Sequence, residues 1–209
     1  VDKMQGVYIP FWLYSGNCEG SITAEGINTR TWTSGNYRYT EKKYYSVYRN
    51  GTLDFKAVPV DASSKTDDDA MDSIEPFDYS EMTAFNPGYL SGYLAERYDE
   101  GKDKCLPRAK ERIENTTRDE LRNTCNYNSV NVQSYEKHTE IKDVKYAMLP
   151  TWLLYTTYQD KPYFFAMNGQ TGKFIGNLPI SKGKLVAYSL LGGVGGYIIG
   201  AILQIMGIF

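Results

Sequence analysis

Two nearly identical apolar stretches decide how the fold is read: YIPFWLY at residues 8–14 and MLPTWLLY at residues 148–155. Both contain the pattern Pro-x-Trp-Leu, and both end on a tyrosine. Each opens a block rich in β-branched and aromatic residues, which is typical of strands. We interpret the pair as a degenerate internal duplication in which Trp12 and Trp152 are matching core anchors. The alternative is that both blocks are ordinary hairpins that share a common turn.

The two blocks have further features in common. Each contains an Asn-Gly dipeptide, which favours a type I′ hairpin turn because both turn positions need a positive φ. Each then leaves through an apolar-Pro-apolar exit, Val58-Pro59-Val60 in the first block and Leu178-Pro179-Ile180 in the second. The predicted structural anchors of the two blocks are therefore Pro10, Trp12, Asn50, Gly51, Pro150, Trp152, Asn168 and Gly169.

Residues 61–127 lie between the blocks and are acidic and helical in pattern. Eight carboxylates stand against the single Lys65 between residues 61 and 81. The run Asp67–Asp69 suits the first turn of a short helix, because the helix dipole favours acidic residues there. Asn86-Pro87 is typical of a second helix start, and an apolar stripe over Cys105–Cys125 predicts a third helix.

The C-terminal segment Leu185–Phe209 has 25 residues and no charge. A helix of this length reaches about 37 Å, enough to cross a hydrocarbon core of about 30 Å. Small residues repeat every four positions on one face, which allows close packing between helices. We therefore predict a transmembrane helix with a glycine zipper, whose helix-packing residues are Gly192, Gly196, Gly200 and Gln204.

The predicted fold class is α+β, with duplicated antiparallel β-hairpin units, a helical insertion and a C-terminal transmembrane helix. The predicted divisions are a first β unit at 1–60, an acidic helical insertion at 61–127, a polar linker at 128–143, a second β unit at 144–181 and the transmembrane helix at 185–209. Lys182 and Lys184 precede the apolar segment, and this favours a membrane location with the preceding domain in the cytoplasm.

Composition and reactive side chains argue against several classes of function. The chain has 23 basic and 25 acidic residues, so bulk attraction to nucleic acid is not expected. The three cysteines and the single His138 match no zinc-ligand spacing, and the acidic run lacks the spacing of a calcium loop. The segment 169–176 lacks the spacing of a phosphate loop. We predict no catalytic residue, no metal and no cofactor.

Five stretches of the chain are distinctive as a set: YIPFWLY (8–14), RTWTSGNYRYT (30–40), VPVDASSKTDDDAMDSIEPFDYSEM (58–82), LPTWLLYT (149–156) and FFAMNGQTGKFIGNLPISKGK (164–184). Together they resemble an uncharacterised bacterial and archaeal membrane-anchored family, often labelled TFIIB-type zinc-ribbon or primosomal-helicase-like. The resemblance implies an N-terminal Cys-x-x-Cys ribbon, which these 209 residues lack. Either the chain is a fragment or this member has no ribbon.

These observations predict a non-enzymatic, membrane-anchored structural or assembly protein that oligomerises through its glycine-faced helix. The alternative is a membrane-tethered adaptor whose missing zinc ribbon recruits a cytosolic partner of the replication or transcription machinery. The predicted partners are the lipid bilayer and either further copies of the chain or a second membrane helix. No nucleic acid is expected to bind this region.

Overall fold

A computed structural model of the protein describes residues 4–158, 160–176 and 181–205. Its central element is a long strand, β1 (Gln5–Ser34), which pairs with β2 (Tyr37–Asp61) on one side. On the other side β1 pairs with β4 (Ser129–Tyr158). At about 3.3 Å per residue, the 30 residues of β1 extend roughly 100 Å. The molecule is therefore built along one long antiparallel sheet.

Three shorter strands complete the sheet at one end. β5 (Lys161–Asn168) is antiparallel to β4, and β6 (Phe174–Gly176) is antiparallel to β5. β3 (Leu94–Ala95) runs parallel to the start of β1. The strand order is β2-β1-β4-β5-β6, with β3 beside β1.

Two helices pack on the sheet, and the sequence predicted both. α1 (Asp68–Ser73) begins where the Asp67 carboxylate accepts a hydrogen bond from the Ala70 amide, which satisfies a free N–H of the first turn. α2 (Lys102–Asn123) covers most of the predicted segment Cys105–Cys125 and buries one apolar stripe of it. The buried residues of α2 are Cys105, Ala109, Ile113, Thr117 and Leu121.

The predicted helix that starts at Asn86-Pro87 is wrong. Asn86 does cap a turn through its side chain, but this turn is a 3-10 helix that ends at Leu90. Gly92 follows with φ +84, a conformation that ends helical structure. The chain then extends to form β3, so pairing with β1 replaces the helix. A second 3-10 turn covers Tyr79–Glu81.

The prediction of two duplicated hairpin units is also wrong. The repeated stretches lie in β1 and β4, which are neighbouring strands of the same sheet, with Ile9 opposite Leu149. An antiparallel pair has local two-fold axes, and the axis between Ile9 and Leu149 relates residues 5–13 of β1 to residues 145–153 of β4, 140 positions later. Pro10 and Pro150 are related in this way, as are Trp12 and Trp152. The repeat therefore reflects the symmetry of one strand pair.

Asn50-Gly51 does not form the predicted hairpin turn. These residues lie inside β2, opposite Ser21 and Gly20 of β1. Continuous pairing with β1 outweighs the local turn preference, and the hairpin turns instead at Gly35, where φ is +60. The residues predicted as a polar linker at 128–143 form the first half of β4.

In the second block, Asn168 is the last residue of β5, and Gly169 begins the turn that leads to β6. The Leu178-Pro179-Ile180 exit lies outside the described residues.

Both faces of the sheet are covered at the end that carries β3, β5 and β6. On one face the β1 side chains Ile9 and Phe11 are fully buried in a core with Met71 and Ile74 of the α1 region. On the other face Tyr14 packs with the first turns of α2. We call this region, where both faces carry other segments, the covered end.

A network of ion pairs ties α1 to α2 across the edge of the sheet. Arg108 lies 2.7 Å from a carboxylate oxygen of Asp61 and 2.7 Å from one of Asp72. Arg112 lies 2.8 Å from an oxygen of Glu75. Burial raises the pKa of Asp61 and Glu75 above their ordinary values, although hydrogen bonds from the arginines act in the opposite direction.

The predicted transmembrane helix is corrected by the structure. α3 (Lys182–Ile205) forms over most of the predicted segment, whose last residues, 206–209, lie outside the described part. Among the described residues, no helix is long and apolar enough to cross a membrane. The membrane location predicted from this segment therefore lacks its basis.

Candidate functional site

A groove of about 550 Å³ lies at the covered end, between the segment 81–90 and the strand residues 146–150 of β4. Its volume falls in the range typical of ligand-binding clefts. Tyr8 and Tyr146 contribute rings from the sheet, and Phe85 and Tyr89 contribute rings from the segment above it. Phe85 is 63% exposed and Tyr89 is 54% exposed, so large apolar surfaces face solvent at the rim. We call this feature the aromatic groove.

Packed rings hold the segment over the sheet. Tyr93 lies 5.2 Å from the ring of Tyr8 and 5.4 Å from that of Trp152. The close approach requires Gly6, because a Cβ there would lie 2.6 Å from the ring of Tyr93. Tyr146 is also 5.2 Å from Trp12. The groove therefore stands on a supported aromatic layer.

The polar groups of the groove are few. Glu81 is the one charged residue among the described residues that line it. Gln170 exchanges two hydrogen bonds with the backbone of Asp78, which fixes the rim. Burial, together with the nearby Tyr98, raises the pKa of the Tyr146 phenol, so its hydroxyl remains a neutral hydrogen-bonding group near pH 7.

The floor of the groove includes a free strand edge. β5 pairs only with Thr151–Tyr158 of β4, and the Pro150 carbonyl oxygen accepts a hydrogen bond from the Gly169 amide, so the edge without a described strand partner covers residues 146–149. A free edge of this kind offers main-chain donors and acceptors to an added strand. The groove thus combines aromatic side chains, one carboxylate and an open edge.

A second candidate surface lies at the opposite end of the sheet. β4 begins opposite Ile27, so residues 28–45 of β1 and β2 project as a two-stranded ribbon, which we call the β arm. Almost every residue of the β arm is exposed, including Trp32, Tyr37 and Tyr39. Four basic residues and one acidic residue leave an excess of three positive charges in the β arm: Arg30, Arg38, Lys42 and Lys43 against Glu41.

The aromatic side chains of the β arm are ordered against one another. Trp32 and Tyr39 face each other across the strands, with ring centroids 5.7 Å apart and an interplanar angle of 15°. The guanidinium carbon of Arg30 lies 5.7 Å from the Trp32 ring. These contacts present a preformed cationic and aromatic surface, which costs little conformational entropy when it binds.

The structure brings together six of the predicted anchors, including Asn168 and Gly169 beside Thr151 and Pro150, and separates the other two. Pro10, Trp12, Pro150 and Trp152 lie in β1 and β4 at the covered end. Asn50 and Gly51 lie in the middle of β2.

Asn168 is fully buried and organises the turn after β5. Its amide donates to the carbonyl oxygens of Ile74 and Pro76, and its side-chain oxygen accepts from the amides of Gln170 and Thr171. Gly169 follows at a close approach to Pro150, because a Cβ there would lie 2.7 Å from the Pro150 carbonyl oxygen.

The predicted helix-packing face has no partner in the described structure. A Cβ added at Gly192, Gly196 or Gly200 would meet no atom within 4 Å, and Gln204 is exposed. The structure therefore does not support the predicted glycine zipper.

The cysteines do not gather into a reactive or metal-binding site. Cys18, Cys105 and Cys125 are buried free thiols, and burial raises the pKa of Cys105 to about 11. A thiol with so high a pKa is a weak nucleophile near pH 7. Within the described ranges, no three His, Cys, Asp or Glu side chains are grouped as metal ligands would be.

The sequence interpretation missed both candidate surfaces. Phe85 and Tyr89 belong to a stretch that was predicted to start a helix. The available signals were the high tyrosine count of 19 and the combination of aromatic and basic residues around Gly35.

The chain is similar to one curated protein. It is 38% identical over 189 residues to the "Uncharacterized protein YdjG" of Bacillus subtilis (strain 168), and the aligned part covers 90% of this chain and 55% of that protein. The chain thus spans about half the length of the curated relative it matches. No protein-family model matches the chain, and no solved structure matches it.

These comparisons correct the predicted resemblance. The zinc-ribbon and primosomal-helicase-like family was expected from five sequence stretches, yet no model of such a family matches. The described residues also contain no grouped metal ligands. Within the described residues, the stretches that suggested the resemblance lie in strands, in α1 and its neighbouring turns, and at the start of α3.

Proposed function

We propose that the protein is a non-enzymatic binding and assembly protein, and that its aromatic groove binds a polypeptide segment with both aromatic and cationic side chains. The observation that carries this proposal is the lining of the groove. Rings from Tyr8, Phe85, Tyr89 and Tyr146 meet there with Glu81 as the one charge among the described lining residues.

The chemistry of this lining favours a cationic and aromatic ligand. The face of an aromatic ring attracts a cation, and the attraction strengthens where water is excluded. Glu81 adds a formal negative charge of the complementary sign. Ring-to-ring packing against the exposed Phe85 and Tyr89 would remove apolar surface from water.

The free edge of β4 favours a polypeptide over a small molecule. An extended segment that runs along residues 146–149 can form main-chain hydrogen bonds while alternate side chains enter the groove. The exposed rims at Phe85 and Tyr89 are typical of an interaction surface.

A peptide titration tests the proposal. The probes are a hexapeptide of alternating arginine and tyrosine and a matched hexapeptide of alternating glutamate and tyrosine, both titrated calorimetrically into the 209-residue chain. We expect saturable binding of the basic peptide and at least about 10-fold weaker binding of the acidic peptide, because Glu81 attracts arginine and repels glutamate.

Two variants locate the site. Tyr89→Ala should weaken the basic peptide at least about 10-fold, since it removes a large exposed ring of the rim. Tyr158→Ala is the matched control, because Tyr158 is exposed to the same extent, 53% against 54%, but does not line the groove. Equal effects of the two variants, or no binding of the basic peptide, would contradict the proposal.

A further inference from the structure

We infer that the segment bound by the aromatic groove is the β arm of a second copy of this chain. The inference rests on the proposed function and names the occupant of the same site. The groove and the β arm are complementary in chemistry and cannot meet within one molecule.

Distance along β1 excludes a contact within one chain. Tyr8 lines the groove and Trp32 lies in the β arm, and both belong to the same uninterrupted strand. The 24 residues between them span roughly 80 Å at about 3.3 Å per residue. An arm that enters a groove must therefore belong to another molecule.

The two surfaces are complementary in charge. The β arm carries an excess of three positive charges, and the rim of the groove carries exposed carboxylates at Asp78, which is bonded to Gln170, and at Glu81. The chain as a whole has a net charge of −2, so the residues outside the β arm have a net charge of −5. Attraction between the basic end of one copy and the acidic end of the next favours this contact over arm-to-arm association.

The two surfaces also match in side-chain type. The β arm presents Trp32 stacked on Tyr39 and covered by Arg30, a cation and two rings in one preformed unit. The groove presents rings and one carboxylate, which is the environment that such a unit needs.

Main-chain pairing can extend the contact. Asn128 bonds to Asn28 and Thr29, and beyond them residues 30–34 of β1 have no described strand on their outer side. The outer side of residues 146–149 of β4 is likewise unpaired by any described strand. Two such edges can join as neighbouring strands of an intermolecular sheet.

Energy transfer between labelled copies tests the inference. One preparation carries a donor dye at Ser34→Cys in the turn of the β arm, and a second carries an acceptor dye at Ala84→Cys beside the groove. Both positions are exposed, and the three native cysteines are buried, so labelling is selective. We expect concentration-dependent transfer in the mixture.

A matched acceptor and an arm variant make the result specific. An acceptor at the exposed Asn115→Cys on α2 should give at most about one-fifth of the transfer seen at Ala84→Cys. Adding Trp32→Ala and Arg30→Glu to the donor copy should remove most of the transfer. Equal transfer to both acceptors, as expected for association through α3, would overturn the inference, as would transfer that survives the arm changes.

The two proposals fail in different ways. Binding of the arginine-tyrosine peptide without transfer between copies would overturn the second-copy inference and leave the groove as a peptide-binding site. Absence of both peptide binding and transfer would overturn the proposed function. Transfer that is lost with the double arm variant, and that the peptide competes away, supports both.

Discussion

The covered end and the β arm are two parts of the same strand pair with opposite surroundings. At the covered end, Ile9 and Phe11 of β1 are fully buried, and segments from residues 62–106 lie on both faces of the sheet. In the β arm, Trp32 and Tyr39 pair across the same two strands, and both are more than 40% exposed. Strand pairing therefore continues where no core exists, and aromatic surface that is not buried remains available for binding.

The largest expected difference between the covered end and the β arm is in the free energy of unfolding that is lost when an aromatic ring is removed. Phe11→Ala should lower the free energy of unfolding by about 4 kcal/mol, because Phe11 is fully buried and a cavity remains. Trp32→Ala should cost less than about 1 kcal/mol, since it loses mainly the stack on Tyr39. Urea unfolding monitored by circular dichroism measures both. Similar costs at the two positions would show that the β arm is packed against something in solution.

Ion pairs should show the next largest contrast. Asp61→Ala should cost about 3 kcal/mol, because Asp61 is buried and its loss removes one carboxylate partner of Arg108. Glu41→Ala in the β arm should cost no more than about 0.5 kcal/mol, since its pair with Lys43 is exposed and 3.6 Å long. Urea unfolding measures both changes in the free energy of unfolding. A large loss for Glu41→Ala would contradict the expectation that solvent screens this exposed ion pair.

A smaller effect is expected at the turn of the β arm. Gly35→Ala should cost about 1 kcal/mol, because φ is +60 there and no neighbouring atom interferes with a Cβ. The neighbouring Asn36→Ala is the control without a glycine requirement. Because the β arm can open locally, amide hydrogen exchange of residues 28–45 is the measurement. Unchanged exchange in Gly35→Ala would mean that the turn does not limit arm opening.

The smallest expected effect is a dependence of stability on pH at the covered end. The native pKa of Asp61 is raised above its ordinary value of 3.8, first by burial and against the opposing interactions with Arg108. A native pKa above the unfolded one stabilises the fold at low pH, and this contribution is lost as the pH rises through the raised pKa. The free energy of unfolding of the wild type should therefore fall, relative to Asp61→Asn, as the pH rises above about 4.

Urea titrations from pH 4 to pH 8 test this dependence, with Glu41→Gln in the β arm as the control for loss of one carboxylate. A wild-type curve that rises relative to Asp61→Asn over this range would show that the ion pair with Arg108 outweighs burial.

The sequence predicted local elements well where one strong pattern acted alone. The stripe over Cys105–Cys125 produced α2, and the acidic run after Asp67 produced α1. Asn50-Gly51 led to a wrong prediction of a hairpin turn. The local turn preference of this dipeptide is overridden because the segments on both sides of it pair continuously with β1. The glycine-rich end misled as well, because glycine spacing without a described neighbour gives no packing.

The candidate site could not be predicted in the same way. Tyr8, Phe85, Tyr89 and Tyr146 are separated by up to 138 positions in the chain, and no spacing rule connects them. Their convergence depends on Tyr93, which holds the intervening segment against the sheet.

By itself, the sequence determined that the chain contains long β segments, an amphipathic helix and a repeated Pro-x-Trp-Leu pattern, because these depend on residue type and short spacing. Only the tertiary structure decided that the repeat is the two-fold symmetry of β1 and β4 around Ile9 and Leu149. It also decided which aromatic residues are buried at the covered end and which stay exposed in the aromatic groove and the β arm. The physical reason is that strand partners and covering segments are chosen by long-range burial, which no local pattern encodes.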